Sequence, residues 1–246
     1  MIKRFIGIII LLTTCAMLVA QADAVAASAG YSKIYKGKEA PFRKAVAKHV
    51  AKWHGPDQWA TFAARVMNGP RAGQYFMGSS GHYWKDYADR KASKAHNDEW
   101  RKVIQTYVEE QSGMMLFEKQ LDASYNDRST PMWQGTIYYT KPGKRGKMLE
   151  ILREGSKANR RLRHKGSSGV YNVISGGEQD GMLVIVNRMD SMADLAPQTP
   201  SIRDRWVKVY GEEVFEQAVK DWYDSFTKSR SEILQFIPEM STPQNQ

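Results

Sequence analysis

The sequence predicts an α+β fold in which two similar units pack sheet against sheet as a barrel. One observation is that a single pattern occurs twice: an aromatic extended stretch runs through a glycine into an amphipathic helix. Another is that Trp100 and Trp206 stand at the same separation from their anchoring glycines, Gly37 and Gly143. A third is the length of the chain, which is ample for burying a large core.

In the first half, the stretch YSKIYK before Gly37 has the composition of a strand. Apolar residues then recur at helical spacing from Phe42 to Trp53. Two strands follow, QWATFAARVMN and QYFMGSS, and the turn NGPRAG separates them. A second helix is predicted for EWRKVIQTYVEEQ, and a closing strand for MMLFEKQL.

The second half repeats this order. GTIYYTKP precedes Gly143, and Met148, Leu149 and Leu152 indicate the first helix. SGVYNVIS and MLVIVNR form the predicted hairpin, VFEQAVKDWYDSFTKSR the long helix and EILQFIP the last strand. The order β-α-β-β-α-β is that of a ferredoxin-like unit, whose sheet carries helices on one face only. Two tandem units can cover each other's bare faces, which predicts a duplicated, face-to-face arrangement.

The N-terminal segment, residues 1–24, is predicted to be a secretory signal peptide. Two cations precede a short apolar run, and Ala22-Asp23-Ala24 matches an A-x-A cleavage pattern. Cleavage is expected after Ala24, with cleavage after Ala26 or Ala27 as the alternative. The remaining chain divides into a first repeat (25–121), a linker (122–133), a second repeat (134–238) and a frayed tail (239–246).

Cysteine usage and charge indicate the compartment. Cys15 is the only cysteine and lies in the signal peptide, and the threonines before it argue against a lipoprotein. An exported chain without disulfides suits the bacterial periplasm, or secretion. The formal net charge of +10 would suit an acidic envelope component as partner, although solubility is the favoured explanation of this charge. No nucleic-acid partner and no transmembrane segment after cleavage are expected.

The segment GHYWKDYADRKASKAHNDEWRKV resembles the dimeric α+β barrel superfamily, the group of antibiotic-biosynthesis-monooxygenase-like and NIPSNAP-like domains. The resemblance extends over nearly the whole mature chain. Trp84 and His96 match the tryptophan and histidine of the superfamily's layout, whereas the second half has Met192 for the tryptophan and no matching histidine. The resemblance implies a barrel, with cofactor-independent oxygenases, haem-degrading enzymes and chlorite dismutase-like proteins among its members.

Motifs for common chemistry are missing from the sequence: there is no H-E-x-x-H, C-x-x-C, G-x-S-x-G or Walker-type loop. Catalytic residues therefore stay unassigned, and no metal site is predicted. The candidate ligand-binding residues are His82, Trp84, His96, Trp59, Asn68 and Tyr75. The alternative is that the aromatics are core residues and the histidines cap helices. The basic run KANRRLRHK offers the candidate anion-binding residues Arg160, Arg161, Arg163 and Lys165, or is a solvated helix end.

The expected function is that of a non-catalytic binding or structural protein of the periplasm, because the halves diverge and share no catalytic motif. The alternative is a cofactor-independent monooxygenase, or a haem-binding or haem-degrading enzyme, with its pocket in the first repeat. No cofactor is expected, and haem would need a histidine facing a large apolar pocket. A small apolar or aromatic ligand suits both functions. Because a duplicated chain covers its own sheets, a monomer is expected.

Overall fold

The computed structural model describes residues 24–55 and 58–243. The predicted signal peptide lies outside this part of the chain except for Ala24. The described ranges form nine β-strands and six α-helices, with short 3-10 and π-helical turns. Their order is β1 (Val25–Ile34), α1 (Glu39–Trp53), β2 (Thr61–Val66), β3 (Tyr75–Tyr83), α2 (Trp84–Asp89), α3 (Lys94–Glu99), β4 (Val108–Gln111), β5 (Met115–Lys119), β6 (Met132–Thr140), α4 (Arg145–Arg161), β7 (Ser168–Ser175), β8 (Met182–Met189), α5 (Ile202–Tyr210), α6 (Glu212–Asp224) and β9 (Phe226–Phe236).

Eight strands close into an antiparallel barrel. The order around the barrel is β3-β2-β9-β6-β8-β7-β5-β1, and β1 pairs again with β3. Strand β4 continues the line of β5 along β1. The α+β class and the barrel are therefore confirmed. The two halves meet edge to edge through the ladders β2–β9 and β5–β7, rather than by face packing alone.

The barrel interior is an apolar core, and the helices cover the outer face. Alternate residues of a strand point to opposite faces, so each strand contributes to both layers. In α1, Phe42 and Val46 pack against the first half, and in α4, Met148 and Leu149 pack against the second. The inner core consists of Ala27, Ala29, Tyr31, Ala64, Val66, Met115, Phe117, Ile137, Tyr139, Val173, Met182 and Leu234.

Strand β1 begins at Val25, well before the predicted stretch YSKIYK. Its first part consists of small residues, which have low strand propensity and resemble a cleavage region. They lie close to β3: a Cβ added at Gly78 would stand 1.8 Å from the Ser28 carbonyl oxygen. Close approach of the two backbones therefore requires a glycine on β3.

Two predicted helices end earlier than expected. The segment EWRKVIQTYVEEQ passes through a π-helical turn and a 3-10 turn and then becomes β4. The long helix of the second half ends at Asp224, and β9 starts at Phe226. Both strands start with residues that favour extended backbone, such as the β-branched Val108 and Thr227. Pairing with β1 and β6 therefore outweighs the helical pattern of the sequence.

The predicted frayed tail is wrong for residues 239–242. Met240, Ser241 and Thr242 are buried. The Ser241 hydroxyl accepts from the Ala63 amide at 3.0 Å, and the Thr242 amide donates to the Thr61 carbonyl at 2.9 Å. These bonds satisfy backbone groups of β2, which holds the segment in place. Across the described ranges, no helix combines the length and apolar character that crossing a membrane requires.

Candidate functional site

Three of the six predicted ligand residues lie at one end of β3. The rings of Trp59 and His82 stack with their centroids 3.7 Å apart, and the Arg90 guanidinium covers the Trp59 ring at 4.4 Å. Trp84 lies nearby and directs its Nε1 to Glu118 Oε2 at 3.4 Å. Neighbouring side chains contact these rings closely, as in a packed aromatic cluster.

Asn68 and Tyr75 lie elsewhere and have structural contacts. Asn68 Oδ1 accepts a hydrogen bond from the Ile233 amide at 2.7 Å, which ties the turn after β2 to β9. Tyr75 is buried beneath α1, where its ring lies edge-on to Phe42 at 5.0 Å. Burial raises the pKa of the Tyr75 phenol. The structure therefore does not bring the six predicted residues into one pocket.

His96 lies on α3 and contacts two histidines, His49 and His54, that are not among the predicted ligand residues. His49 lies on the buried face of α1, and His54 directly follows the last residue of that helix. Nε2 of His96 is 3.2 Å from Nε2 of each of the other two. The cluster depends on how α3 packs against α1. The spacing of the three histidines along the chain therefore does not indicate that they meet.

A cleft of about 1620 Å³ lies in the second half, between the outer face of β6, β7 and β8 and helices α4 to α6. Its wall includes Trp206, and Tyr138 and Trp222, whose rings meet edge-on at 5.0 Å. Gly155 of α4 faces Trp206: a Cβ at this position would lie 3.3 Å from the indole Nε1. Aliphatic side chains complete the floor, namely Ile151, Leu152 and Ile185.

Arg205 contributes a buried positive charge to the wall of this cleft. Only 3% of the residue is exposed. Its Nε donates to Asn159 Oδ1 at 2.8 Å, and its Nη1 donates to the Pro200 carbonyl at 2.6 Å. Both acceptors are neutral, and no carboxylate among residues 24–55 and 58–243 pairs with this guanidinium. Burial lowers the pKa of Arg205.

The predicted anion-binding residues divide between two places. Arg163 and Lys165 line the cleft. Arg160 instead donates to the Ser124 carbonyl at 2.7 Å, and Arg161 lies on α4 outside the lining. Two of the four predicted cations therefore share the cleft with Arg205, which does not stand out as part of a basic run because Asp204 separates it from Arg203.

The superfamily that the sequence resembles includes haem-degrading enzymes, so haem is one group that this cleft would have to fit. An axial histidine needs a free nitrogen that faces the apolar space. His164 lines the cleft, but its Nε2 lies 3.1 Å from Gln198 Oε1. A Cβ added at Gly166 would also come within 2.5 Å of this nitrogen, so the ring edge is crowded. The described part of the cleft therefore does not fit histidine-ligated haem.

A second cavity, of about 300 Å³, lies at one end of the barrel interior. Asp127 is buried at its edge and pairs with Arg188 at 2.6 Å and with Lys119 at 2.7 Å. Burial opposes ionisation of Asp127, but the two cations more than offset it and lower the carboxyl pKa. These three groups together therefore carry one positive charge more than the single carboxylate neutralises. The lining also includes four phenylalanines and a tryptophan, namely Phe62, Phe76, Phe117, Phe236 and Trp133, together with small and aliphatic residues of β1 and β8.

Comparison with known proteins shows the fold of the chain. No family model and no curated protein matches the sequence. Among solved structures, a proposed monooxygenase from Lactobacillus acidophilus NCFM is similar, with a TM-score of 0.59 at 7% identity over 89% of this chain and 96% of that one. A proposed monooxygenase from Fusobacterium nucleatum has a TM-score of 0.59 at 13% identity, covering 87% and 92% of the two chains.

A proposed chlorite dismutase is also similar, with a TM-score of 0.53 at 11% identity over 88% of this chain and 96% of that one. These proteins have the dimeric α+β barrel fold that the sequence resemblance implied. At such low identity, the likeness extends to the fold and not to the activity.

Proposed function

We propose that the protein is an exported, non-catalytic binding protein whose second-half cleft takes an aromatic molecule that carries an anionic group. The observation that supports this most is Arg205, a buried guanidinium whose hydrogen-bond acceptors are neutral. A buried charge without a counter-ion is costly, and an anionic ligand in the cleft would supply that counter-ion. Arg163 and Lys165 on the same lining would strengthen the attraction.

The shape and chemistry of the lining support the aromatic part of the ligand. Trp206, Trp222 and Tyr138 offer ring edges and faces, and aliphatic residues form the floor. Ligand sites are typically apolar pockets with a few convergent polar groups. An aromatic carboxylate or sulfonate matches both features, because its ring can contact the tryptophans while its charge approaches the arginine.

The test is fluorescence titration of the untagged mature chain with anilinonaphthalene sulfonate, an aromatic anion. We expect saturable binding that falls by about 10-fold or more in Arg205→Met, because a hydrogen bond to a charged group contributes about 1.5–3 kcal/mol. Lys208→Met is the matched control on the same helix, because Lys208 is exposed and lies outside the lining of the cleft. Equal losses in both variants would contradict the proposal.

Arg205 is buried, so a second variant guards against misfolding. Arg163 has a positive φ of 50°, a conformation that asparagine tolerates well, so Arg163→Asn removes the charge with little backbone strain. We expect a smaller but clear loss of affinity. Haemin provides a further probe: a Soret shift that disappears in His164→Ala would overturn the conclusion that histidine-ligated haem does not fit.

A cofactor-independent monooxygenase is the second candidate, using the same cleft instead of the first half. The names of two similar structures favour it. His164 adds a neutral imidazole to the wall, since burial, assisted by Arg205, lowers its pKa. Oxygen uptake in the presence of a bound aromatic anion, abolished in His164→Gln, would replace the non-catalytic proposal with this one.

Export and cleavage after Ala24 form part of the proposal. Ala26 and Ala27 are buried and pair with β3 and β5, so cleavage beyond them would remove residues of the barrel. Intact-mass measurement of the periplasmic protein tests this, and a chain that begins at Val25 is expected.

The oligomeric state and the partner are separate parts of the proposal. Light scattering tests the expected monomer. Salt-dependent binding to acidic envelope material tests the proposed envelope partner.

We also propose that the halves arose by tandem duplication, with the boundaries predicted from the sequence. Both halves show a strand, a helix, a hairpin and further helices in this order. The first half then ends with β4 and β5, and the second with β9. Counted from the anchoring glycines, His49 corresponds to Gly155. His49 contacts Trp100 with ring centroids 5.3 Å apart, and Gly155 faces Trp206, so equivalent helix positions meet equivalent tryptophans.

A further inference from the structure

Three imidazole nitrogens converge in the first half, away from the residues that line the cleft. Nε2 of His96 lies 3.2 Å from Nε2 of His49 and 3.2 Å from Nε2 of His54. One ligand atom from each of the three residues lies within 4.8 Å of the others. His49 and His54 are buried, and His96 is half-buried at the edge of the cluster.

The other ring nitrogens determine where the protons of His49 and His54 are. Nδ1 of His54 lies 2.7 Å from the Trp59 carbonyl oxygen, which only accepts, so Nδ1 carries the hydrogen. Nδ1 of His49 lies 3.1 Å from Glu99 Oε1. Lys52 Nζ donates to the other oxygen of this carboxylate, Glu99 Oε2, at 2.5 Å, so Glu99 accepts from both residues.

Both buried rings therefore hold the hydrogen of their neutral form at Nδ1. A neutral imidazole protonated at Nδ1 presents a lone pair at Nε2. His96 Nε2 therefore faces two lone pairs, and a single hydrogen at most is available for the two contacts. Without a further group, this buried contact is poorly satisfied.

A metal ion would satisfy all three nitrogens together. Zinc is bound by histidine at 2.0–2.1 Å in tetrahedral geometry, which places neighbouring ligand nitrogens roughly 3.3 Å apart. The two observed separations of 3.2 Å are close to this value. We propose that His49, His54 and His96 bind a divalent transition-metal ion of the zinc type through their Nε2 atoms.

The surroundings of the cluster match those of protein metal sites. Ligating histidines usually donate their second ring N–H to a carboxylate or a backbone carbonyl, which fixes the tautomer and the ring orientation. Glu99 provides the carboxylate for His49, and the Trp59 carbonyl does so for His54. The described residues supply three nitrogens, and a tetrahedral ion would take its fourth ligand from outside this set.

The first experiment uses untagged mature protein that has been stripped with EDTA and titrated with cobalt(II), then with zinc(II). We expect one ion per chain, the visible absorption bands of tetrahedral cobalt, and displacement of cobalt by zinc. Glu99→Gln should weaken zinc binding by about 10–100-fold, the usual cost of removing a partner of a ligating histidine. His96→Gln and His54→Gln should weaken it further.

His82→Gln is the matched control, because His82 is a half-buried histidine of the same half that bonds to a carbonyl oxygen outside the cluster. It should bind cobalt and zinc as the wild type does. The proposal is overturned if the wild type shows no saturable one-to-one binding, or if His82→Gln loses binding as much as His96→Gln does.

A measurement on the wild type removes any dependence on the folding of variants. In a long-range proton–nitrogen NMR spectrum, zinc should shift the Nε2 resonances of three histidines and leave those of His82 and His164 in place. Zinc should also raise the melting temperature, and a chelator should reverse this, because the ion binds only the folded arrangement. Equal shifts at all five histidines would indicate nonspecific binding and would overturn the proposal.

Discussion

The helix layers of the two halves differ most where they face their tryptophans. In the first half, the His49 ring packs against Trp100 at 5.3 Å. At the corresponding point of the second half, Gly155 lets the Trp206 indole approach the helix directly, since an added Cβ would lie 3.3 Å from its Nε1. Both residues line the cleft. One side-chain difference on the first helix of each half thus separates a histidine cluster from a helix surface against which the indole packs.

The charges at a second pair of equivalent positions are opposite. Glu99 accepts a hydrogen bond from His49, whereas Arg205 donates one to Asn159. The acidic residue suits a cation near the histidines, and the basic residue suits an anion in the cleft. The comparison teaches that the barrel strands preserve the frame while the helix layer determines the chemistry of each half.

The largest effect on stability is expected when glycine, the residue of the second half, replaces His49 in the first half. His49→Gly removes a buried ring and puts glycine inside a helix, so the free energy of unfolding should fall by about 3 kcal/mol. Urea unfolding in EDTA measures this. The exposed Lys48→Gly carries only the helix cost of about 1 kcal/mol, and equal losses in the two variants would show that the ring contributes nothing.

The next effect is a dependence of first-half stability on pH. The pKa of His54 is about 4 in the folded protein against about 6.5 when unfolded. Between these values the unfolded chain binds more protons, so stability should fall by roughly 2 kcal/mol as the pH drops from 6.5 to 4. Burial is the main cause of the lowered pKa of His54; the Trp59 carbonyl opposes it, and His49, His96 and Arg90 lower the pKa further.

Urea midpoints at a series of pH values, measured in EDTA, test this dependence. His54→Gln should give a flatter profile, since glutamine does not titrate. A profile as steep as that of the wild type would assign the effect to other groups.

A smaller effect on stability is expected when histidine, the residue of the first half, replaces Gly155 in the wall of the cleft. Gly155→His should reduce binding of the aromatic sulfonate by at least about 10-fold. It should change the free energy of unfolding by only about 1 kcal/mol, because extra crowding and improved helix propensity oppose each other. Gly146→His on the same helix enters open space and should bind normally. Normal binding by Gly155→His would place the ligand elsewhere.

The smallest effect concerns the surface of the histidine cluster. Lys52 pairs with Glu99 at 2.5 Å but is 58% exposed, so Lys52→Met should lower the free energy of unfolding by less than about 1 kcal/mol. Lys52 also lowers the pKa of His49, so its removal should raise that pKa in an NMR titration. Lys94→Met, which removes another exposed ion pair, should leave it unchanged.

The frame could be predicted from sequence because its signals are local. The alternation in SGVYNVIS matches β7, and the helical spacing after Phe42 matches α1. The start of β1 was missed because alanine and serine there resemble a cleavage region. The strand after Tyr107 was missed because its pairing with β1 is a tertiary effect.

The candidate sites depended on non-local contacts and were harder to predict. His96 could be selected by its resemblance to a family layout, but its meeting with His49 and His54 depends on helix packing. Trp59, His82 and Trp84 did come together, as a packed cluster. The cleft is assembled from helices, strands and loops that are distant in sequence, and no motif search detects such a meeting.

Strand β9 has a consequence for when the barrel can form. It pairs with β6 on one side and with β2 of the first half on the other. It is the last of the nine described strands to be synthesised and is needed to close the ring, so β2 keeps an open edge until β9 has been made. Such long-range pairing folds slowly. For the exported protein proposed above, the chain would therefore stay unfolded during passage through the membrane. It would close into a barrel only after β9 has crossed and can pair with β2 and β6.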